Sequence, residues 1–241
     1  MKKLVVLRAG PALPVVAERL GEFAGWIQRE VGEAWKGPWD ERDLRRKEDL
    51  PDPRDAAGFI ITGASGSITE RAQWMLDGEA YLREVVREEV PVFGICFGHQ
   101  MLAQALGGEV VTSGKYEVGT VEVEVLPHEP RDEILRSLGD RFLANGTHRD
   151  TVKVLPPDAR VLARTAIDEF TAMAIGDTTR SVQFHPEMNG EAMRGYVDAR
   201  LDVIASYGQD PVEVRAKVVD RPEGSRVLAS FVEHIVLPRM R

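Results

Sequence analysis

Val90-Pro91-Val92-Phe93-Gly94-Ile95-Cys96-Phe97-Gly98-His99-Gln100 is the stretch from which the architecture of this chain can be read. The apolar run Val90 to Phe93 reads as a buried strand, and Gln100 to Leu106 has the composition of a helix. Between them lies the only cysteine, framed by Gly94 and Gly98. Small residues in those positions let the backbone turn tightly enough to expose the middle side chain at the top of a sheet. G-x-C-x-G is thus the thiol counterpart of the G-x-S-x-G nucleophile elbow. A cysteine so placed sits at a helix N-terminus, where unpaired N–H groups and the helix dipole favour thiolate over thiol. Because an ordinary cysteine titrates near about 8.5, a nucleophile at neutral pH needs this site or a neighbouring base.

A base is offered by Ser181-Val182-Gln183-Phe184-His185-Pro186-Glu187. Arg180 to Phe184 reads as another strand, and Pro186 ends it because proline has no ladder N–H and a fixed φ. Side chains at that strand end project into a cleft. If the turn folds Glu187 back onto His185, the carboxylate orients the imidazole and stabilises its cation while His185 takes the thiol proton. Cys96, His185 and Glu187 then have the nucleophile, base and orienter roles of a catalytic triad.

Working outward, strand-like and helical stretches alternate, which implies an α/β fold: an open, mostly parallel sheet with helices on both faces. Lys3 to Leu7, Gly58 to Thr62 and Pro91 to Cys96 are the early strands, and Val15 to Val31 and Arg71 to Glu89 the helices between them. Trp35 to Asp55 is dense in charge and proline and reads as an excursion around a short strand near Lys36 to Trp39. Val118 to Leu126 alternates apolar and charged residues, the signature of a strand with one wet face. Together with Phe142 to Ala144, Val152 to Val154, Val161 to Ala163 and Thr171 to Ile175 it predicts additional antiparallel or mixed strands in the second half. Helical sequence runs from Gly190 to the end, broken near Gly208 to Pro211 and Arg221 to Gly224. With no repeat, low-complexity tract or linker, residues 1–241 are expected to form one domain.

The elbow and the Phe-His-Pro-Glu strand end resemble the two signatures of the class I (triad) glutamine amidotransferases, G-[IV]-C-x-G-x-Q and x-F-H-P-E. Two more segments agree. Ile60 to Ser67 resembles the family's loop after a core strand, which helps form the oxyanion hole. Thr147 to Val152 resembles the loop that touches the α-amino and carboxylate ends of the glutamyl group. Thr62 to Ser65, Trp74 and His148-Arg149-Asp150 most resemble the stand-alone GMP-synthase-like glutaminase branch. The resemblance implies a flavodoxin-like sheet and an oxyanion hole from the backbone N–H groups of Ala64 and Phe97. It also implies substrate contacts from Gly63, Gly66, Gln100, Thr147 and His148. Ala64 stands where many relatives carry glycine, so the loop is expected either to be pre-formed or to reorganise on binding.

Each residue also has a plainer role open to it. A lone buried cysteine is usually a small hydrophobe. Gln100 could be an ordinary helix-start residue, and Thr62 to Ser67 a flexible turn. Of the five histidines, His99 is expected to be structural, and His128 and His234 to be surface or packing residues. His148 remains a second candidate for substrate contact. The four tryptophans, Trp26, Trp35, Trp39 and Trp74, are expected in packing or at the cleft edge.

The chemistry implied is hydrolysis of the side-chain amide of glutamine, or of a γ-glutamyl amide, through a γ-glutamyl thioester on Cys96. It requires no metal and no cofactor. Glutamate and ammonia are released, the ammonia for a separate synthetase that works in trans. Two alternatives stay open: a free-standing γ-glutamyl peptidase or hydrolase, and a catalytically inactive regulatory or binding protein on the same scaffold. A net charge of −8 argues against a nucleic-acid partner, which needs a basic face. The N-terminus has too few apolar residues before Arg8 for a secretory or membrane segment, so a cytoplasmic protein without a membrane partner is expected. Nothing in the sequence specifies an oligomeric state.

Overall fold

The computed structural model describes residues 1–46 and 50–240; Lys47 to Asp49, inside the charged excursion, and the terminal Arg241 lie outside the described residues. The strands are β1 (Lys3–Arg8), β2 (Trp39–Asp43), β3 (Ala56–Ile61), β4 (Val92–Ile95), β5 (Glu109–Val125), β6 (Arg141–Val154), β7 (Ala159–Arg164), β8 (Ala172–Ile175) and β9 (Thr179–Val182). They form one sheet in the order β2-β1-β3-β4-β9-β8-β7-β5-β6. The first five in that order pair in parallel, whereas β9, β8, β7, β5 and β6 pair successively antiparallel. The expected mostly parallel sheet with added antiparallel strands is therefore one continuous sheet whose two halves meet at β9.

β3, β4 and β9 are buried along their whole length, as strands covered on both faces must be. The period of two distributes β1 between two cores. Leu4 and Val6 pack with Ile27 of α2 (Phe23–Val31) and Phe231 of α8 (Arg226–Phe231). Val5 and Leu7 pack with Leu82 of α3 (Gln73–Arg87) and Met101 of α4 (Phe97–Ala105). Apolar residues on both faces of β1 thus hold helices on both sides of the sheet. No helix among the described residues is long and apolar enough to cross a membrane.

Several boundaries differ from the sequence reading. The helix expected over Val15 to Val31 is two, α1 (Pro14–Leu20) and α2, because Gly21 adopts φ 80°. The strand expected near Lys36 to Trp39 lies over Trp39–Asp43. This charged edge strand is held beside β1 by the ladder and by pairs such as Arg8 with Glu41, and it has no apolar period to reveal it. The C-terminal region breaks at both expected places and once more, between α5 (Gly190–Asp198) and α6 (Leu201–Ser206); α7 (Pro211–Ala216) and α8 follow. The largest correction concerns Thr147 to Val152. It is not a loop but the middle of β6, which joins the separately expected strands at Phe142 and Val152 into one of 14 residues. Its partner β5 bulges there: Thr112 pairs with Asp150 and Glu117 with His148, so Ser113 to Tyr116 of β5 stand opposite Arg149 alone.

Candidate active site

Cys96 occupies the turn between β4 and α4 with φ 50° and ψ −101°, a conformation that strains a residue carrying a Cβ. Neither Gly94 nor Gly98 has positive φ; both are needed for space. A Cβ on Gly94 would lie 2.6 Å from the Gly98 carbonyl oxygen, and one on Gly98 would lie 2.8 Å from the Ile61 carbonyl oxygen. The glycines let β4, α4 and β3 close on one another, and the strain falls on the cysteine. Phe97 is the first residue of α4, so its N–H has no intrahelical acceptor. The Phe97 ring stacks on Trp74 at 5.6 Å.

His185 follows β9, its own N–H donating to the Asn145 carbonyl at 2.7 Å. Asn145, on β6, also donates from Nδ2 to the Met188 carbonyl at 3.0 Å, so it grips both sides of the His-Pro-Glu turn. Within that turn His185 Nδ1 donates to Glu187 Oε1 at 2.7 Å, and Glu187 is completely buried. The Phe23 ring stacks on the imidazole at 6.2 Å. Gly63 packs against its edge, where a Cβ would lie 2.8 Å from Cε1. With Nδ1 committed to the carboxylate, Nε2 is the nitrogen left to exchange a proton with the thiol.

The electrostatics of the pair are consistent with an ionised thiol. Burial raises the Cys96 pKa, but the charge of His185, with that of His148 behind it, brings it below the ordinary value. Burial likewise works against a charged His185, yet Glu187 and the thiolate carry it up to about 10. Thiolate and imidazolium stabilise each other inside a site with 6% of the cysteine surface exposed.

A second buried imidazole, His148 on β6, lines the same cavity. Its Nδ1 faces the Asp150 carbonyl at 3.0 Å and its Nε2 the Glu117 carboxylate at 3.0 Å, with Asp168 Oδ2 at 3.9 Å. Both nitrogens therefore face acceptors and both must carry hydrogen, which only the imidazolium satisfies. Burial opposes that charge, but Glu117 and Asp168 outweigh it and lift the pKa to about 9.

The cavity is lined by Cys96 and His185 together with Ala64, Gly66, Phe97, Gln100, Thr147 and His148. Glu187 lies behind His185, and Gly63 lies against the triad rather than among the lining residues. Ala64 has no positive φ, and its Cβ fits because Gly10, after β1, has none: one there would be 3.1 Å away. The loop from Thr62 to Ser67 is tied down, with Thr62 Oγ1 accepting from Ala9 N–H at 3.0 Å and Ser67 Oγ in a short contact with the Asp150 carboxylate. Gln100 donates from Nε2 to the Asp150 carbonyl at 2.9 Å and to Gln183 at 3.0 Å, and its Oε1 has no hydrogen-bond partner among the described residues. Thr147 presents its carbonyl oxygen 3.9 Å from Cys96 Sγ.

His99 is buried and bonded to Ser181 at 2.8 Å, with burial pushing its pKa down to about 3, so it is a neutral packing residue. His128 contacts the Val161 carbonyl, and His234 is exposed beside Glu233. Glu117, Asp168, Asn145, Tyr116 and Arg200 join the site without a signature in the sequence. Glu117, Asn145 and Tyr116 enter the site through strand register, Arg200 through helix packing and Asp168 from the turn between β7 and β8, none with a local motif.

The sequence pattern of the family described as Glutamine amidotransferase class-I matches residues 37–198. A subunit of the glutamine-hydrolyzing GMP synthase of Methanothermobacter thermautotrophicus is 38% identical over 137 residues, 56% of this chain and 68% of that protein. The subunit of the same name from Methanopyrus kandleri is 40% identical over 146 residues, 57% and 72% of the two chains. The GMP synthase (glutamine-hydrolyzing) of Aeropyrum pernix is 39% identical over 214 residues, 76% of this chain but only 40% of that protein. Among solved structures, a glutamine amidotransferase from Thermotoga maritima superposes with a TM-score of 0.75 at 21% identity, covering 98% of this chain and 99% of that one.

Proposed function

We propose, on the premise that this chain belongs to the class-I glutamine amidotransferase family, that it hydrolyses the side-chain amide of glutamine or of a γ-glutamyl compound. The Cys96 thiolate attacks the amide carbonyl, and backbone N–H groups of Phe97 and Ala64 receive the negative charge on the oxygen. One such donor contributes about 3–4 kcal/mol to the transition state. His185, held by Glu187, protonates the departing nitrogen as the C–N bond breaks, leaving a γ-glutamyl thioester. The same imidazole then takes a proton from water as its oxygen attacks the thioester; the C–S bond breaks, glutamate leaves and the thiolate–imidazolium pair is restored. Gln100 Oε1, without a hydrogen-bond partner among the described residues, is an acceptor suited to a substrate ammonium. Thr147, His148 and Gly66 line the space around the glutamyl group.

The observation that carries this reading is the meeting of Cys96 on a strained elbow with an imidazole whose other nitrogen is committed to Glu187 at 2.7 Å. It favours an active enzyme over an inert scaffold, because an inert scaffold has no need of a strained cysteine beside a buried ion pair. The ammonia acceptor is proposed to be a cytoplasmic synthetase subunit in trans, by likeness to the relatives named as separate subunits of a GMP synthase. The test is ammonia and glutamate release by the purified protein from glutamine and γ-glutamyl dipeptides, with and without cell extract and with Cys96→Ala as control. Turnover that Cys96→Ala abolishes supports the enzyme, and stimulation by extract supports the partner. No turnover of any substrate, with Cys96 inert to a glutamine-mimicking electrophile, sinks the catalytic reading.

A further inference from the structure

The charged groups around the Cys96 cavity are mostly matched. His185 has Glu187, His148 has Glu117 and Asp168, and both carboxylate oxygens of Asp150 are taken, by Thr112 and Ser67. Two lining cations are not: neither Arg149 nor Arg200 has a carboxylate partner among the described residues. This stands out in a chain with 39 acidic against 31 basic side chains. Many surface arginines elsewhere reach an acid, as Arg54 does Asp52 at 2.7 Å and Arg215 does Asp198 at 2.6 Å, whereas Arg83 and Arg239 donate to backbone carbonyls instead.

Arg200 is also held in place. Its Nη1 donates to Tyr116 Oη and to Thr147 Oγ1, both at 3.1 Å, and its guanidinium carbon lies 5.4 Å from the centre of the Tyr196 ring. Thr147 is the residue whose carbonyl meets the Cys96 thiol. A guanidinium has five N–H donors in a planar fork suited to a carboxylate. Here one nitrogen fixes the fork, while Nε and Nη2 make no bond among the described residues. Because it is fixed before binding, little side-chain entropy is lost when it takes a ligand. Arg200 lies beyond residue 198, where the family pattern ends.

We infer that Arg200, assisted by Arg149 at the rim of the cavity, binds a carboxylate of the substrate and so selects carboxylate-bearing glutamyl compounds over those that lack one. This rests on the proposed glutamyl chemistry at Cys96. The carboxylate has two chemical sources: the α-carboxylate of the glutamyl group, or an acid carried by the leaving amine.

Because Cys96 is the only cysteine, alkylation reads the site without any turnover. Rates with iodoacetate and iodoacetamide at one pH give a ratio that reports attraction of a carboxylate and cancels changes in thiol ionisation. Arg200→Gln keeps a donor for Thr147 and Tyr116 but not the charge, and is expected to lower the iodoacetate/iodoacetamide ratio about tenfold. Arg149→Met, at an exposed position, is expected to lower it by a smaller factor. An unchanged ratio in both variants, or equal slowing by both reagents in Arg200→Gln, overturns the inference and leaves Arg200 a packing residue. The source of the carboxylate follows from KM values for glutamine, its α-amide, γ-glutamylglycine and γ-glutamyl methylamide. A rise for glutamine but not its α-amide identifies the α-carboxylate; a rise for γ-glutamylglycine beyond that for γ-glutamyl methylamide identifies the leaving amine. Absence of all turnover would fail the hydrolase reading alone, since the alkylation ratio decides the arginines independently.

Discussion

His185 with Glu187 and His148 with Glu117 are both buried imidazole–carboxylate pairs beside Cys96, yet they are wired oppositely. His185 spends one nitrogen on its carboxylate and keeps the other for the thiol. His148 spends both, on Glu117 and on the Asp150 carbonyl. The first pair is free to move a proton; the second is a fixed positive charge. Similar burial and similarly raised pKa values therefore do not identify the base, and the count of committed nitrogens does.

Removing the function of each imidazole in turn separates the two pairs most strongly. His185→Ala is expected to lower glutamine turnover by about 10⁴-fold, the scale of a general base that also sustains the nucleophile. His148→Gln keeps a neutral hydrogen-bonding side chain and should retain far more activity. Equal losses in steady-state kinetics would mean that His148 also transfers protons, contrary to its bonding.

The surroundings of His185 offer a smaller, geometric test. Gly63→Ala places a Cβ 2.8 Å from His185 Cε1 and 3.8 Å from the Cys96 Cβ. The imidazole must shift, and turnover is expected to fall by about 10²-fold, the usual penalty for ångström-scale misplacement in a catalytic pair. Circular dichroism and melting should change little, because the displaced group is one ring beside a cavity. Unaltered kinetics would show that His185 tolerates displacement and that its clamp is not part of its function.

The two pairs also differ in how legible they are in the sequence. His185 and Glu187 are two residues apart in a turn that Pro186 enforces, so the local pattern alone brings them together. Cys96 is equally local, because the glycines beside it let β3, β4 and α4 close on one another and so allow the tight turn that their small size implies. His148 and Glu117 are 31 positions apart and meet only because β5 bulges opposite Arg149. Their segment, Thr147 to Val152, reads as a loop on family resemblance, since polar residues in mid-strand carry no apolar alternation. The parallel half of the sheet is plain for the converse reason: strands covered on both faces are apolar runs. Arg200 has no signal at all, as its place depends on the break between α5 and α6.

A still smaller effect isolates the electrostatic role of the second pair. The charge of His148 is among the causes that lower the Cys96 pKa. Glu117→Gln removes the main partner that keeps His148 protonated, so at neutral pH the thiol loses a neighbouring positive charge and its pKa moves up. Alkylation by neutral iodoacetamide near pH 7 is expected to slow by about tenfold, equivalent to about 1.4 kcal/mol. An unchanged rate would confine His148 to a structural role.

The smallest expected effect is on stability, and its sign follows from the same charge. His148 titrates at about 9 when folded and at about 6.5 in the unfolded chain. A raised folded pKa means that the native state binds the extra proton. The stabilisation is fully present below the unfolded value and is lost as pH climbs from there through about 9, with a slope of at most about 1.4 kcal/mol per pH unit. The groups facing the ring are Glu117, Asp168 and the Cys96 thiol, and of these Glu117 is the first that holds the proton in place. His185, with its pKa raised to about 10, contributes in the same direction over a window reaching higher. Wild type should therefore weaken in urea titrations between pH 7 and 9, and Glu117→Gln should weaken less steeply, because what remains is the His185 share, opposed by Cys96, whose lowered pKa adds stability as pH rises. If both proteins lost stability with the same slope, the pH dependence would belong wholly to the catalytic pair. His148 would then be no more protonated in the folded chain than in the unfolded one, which its two acceptor partners argue against.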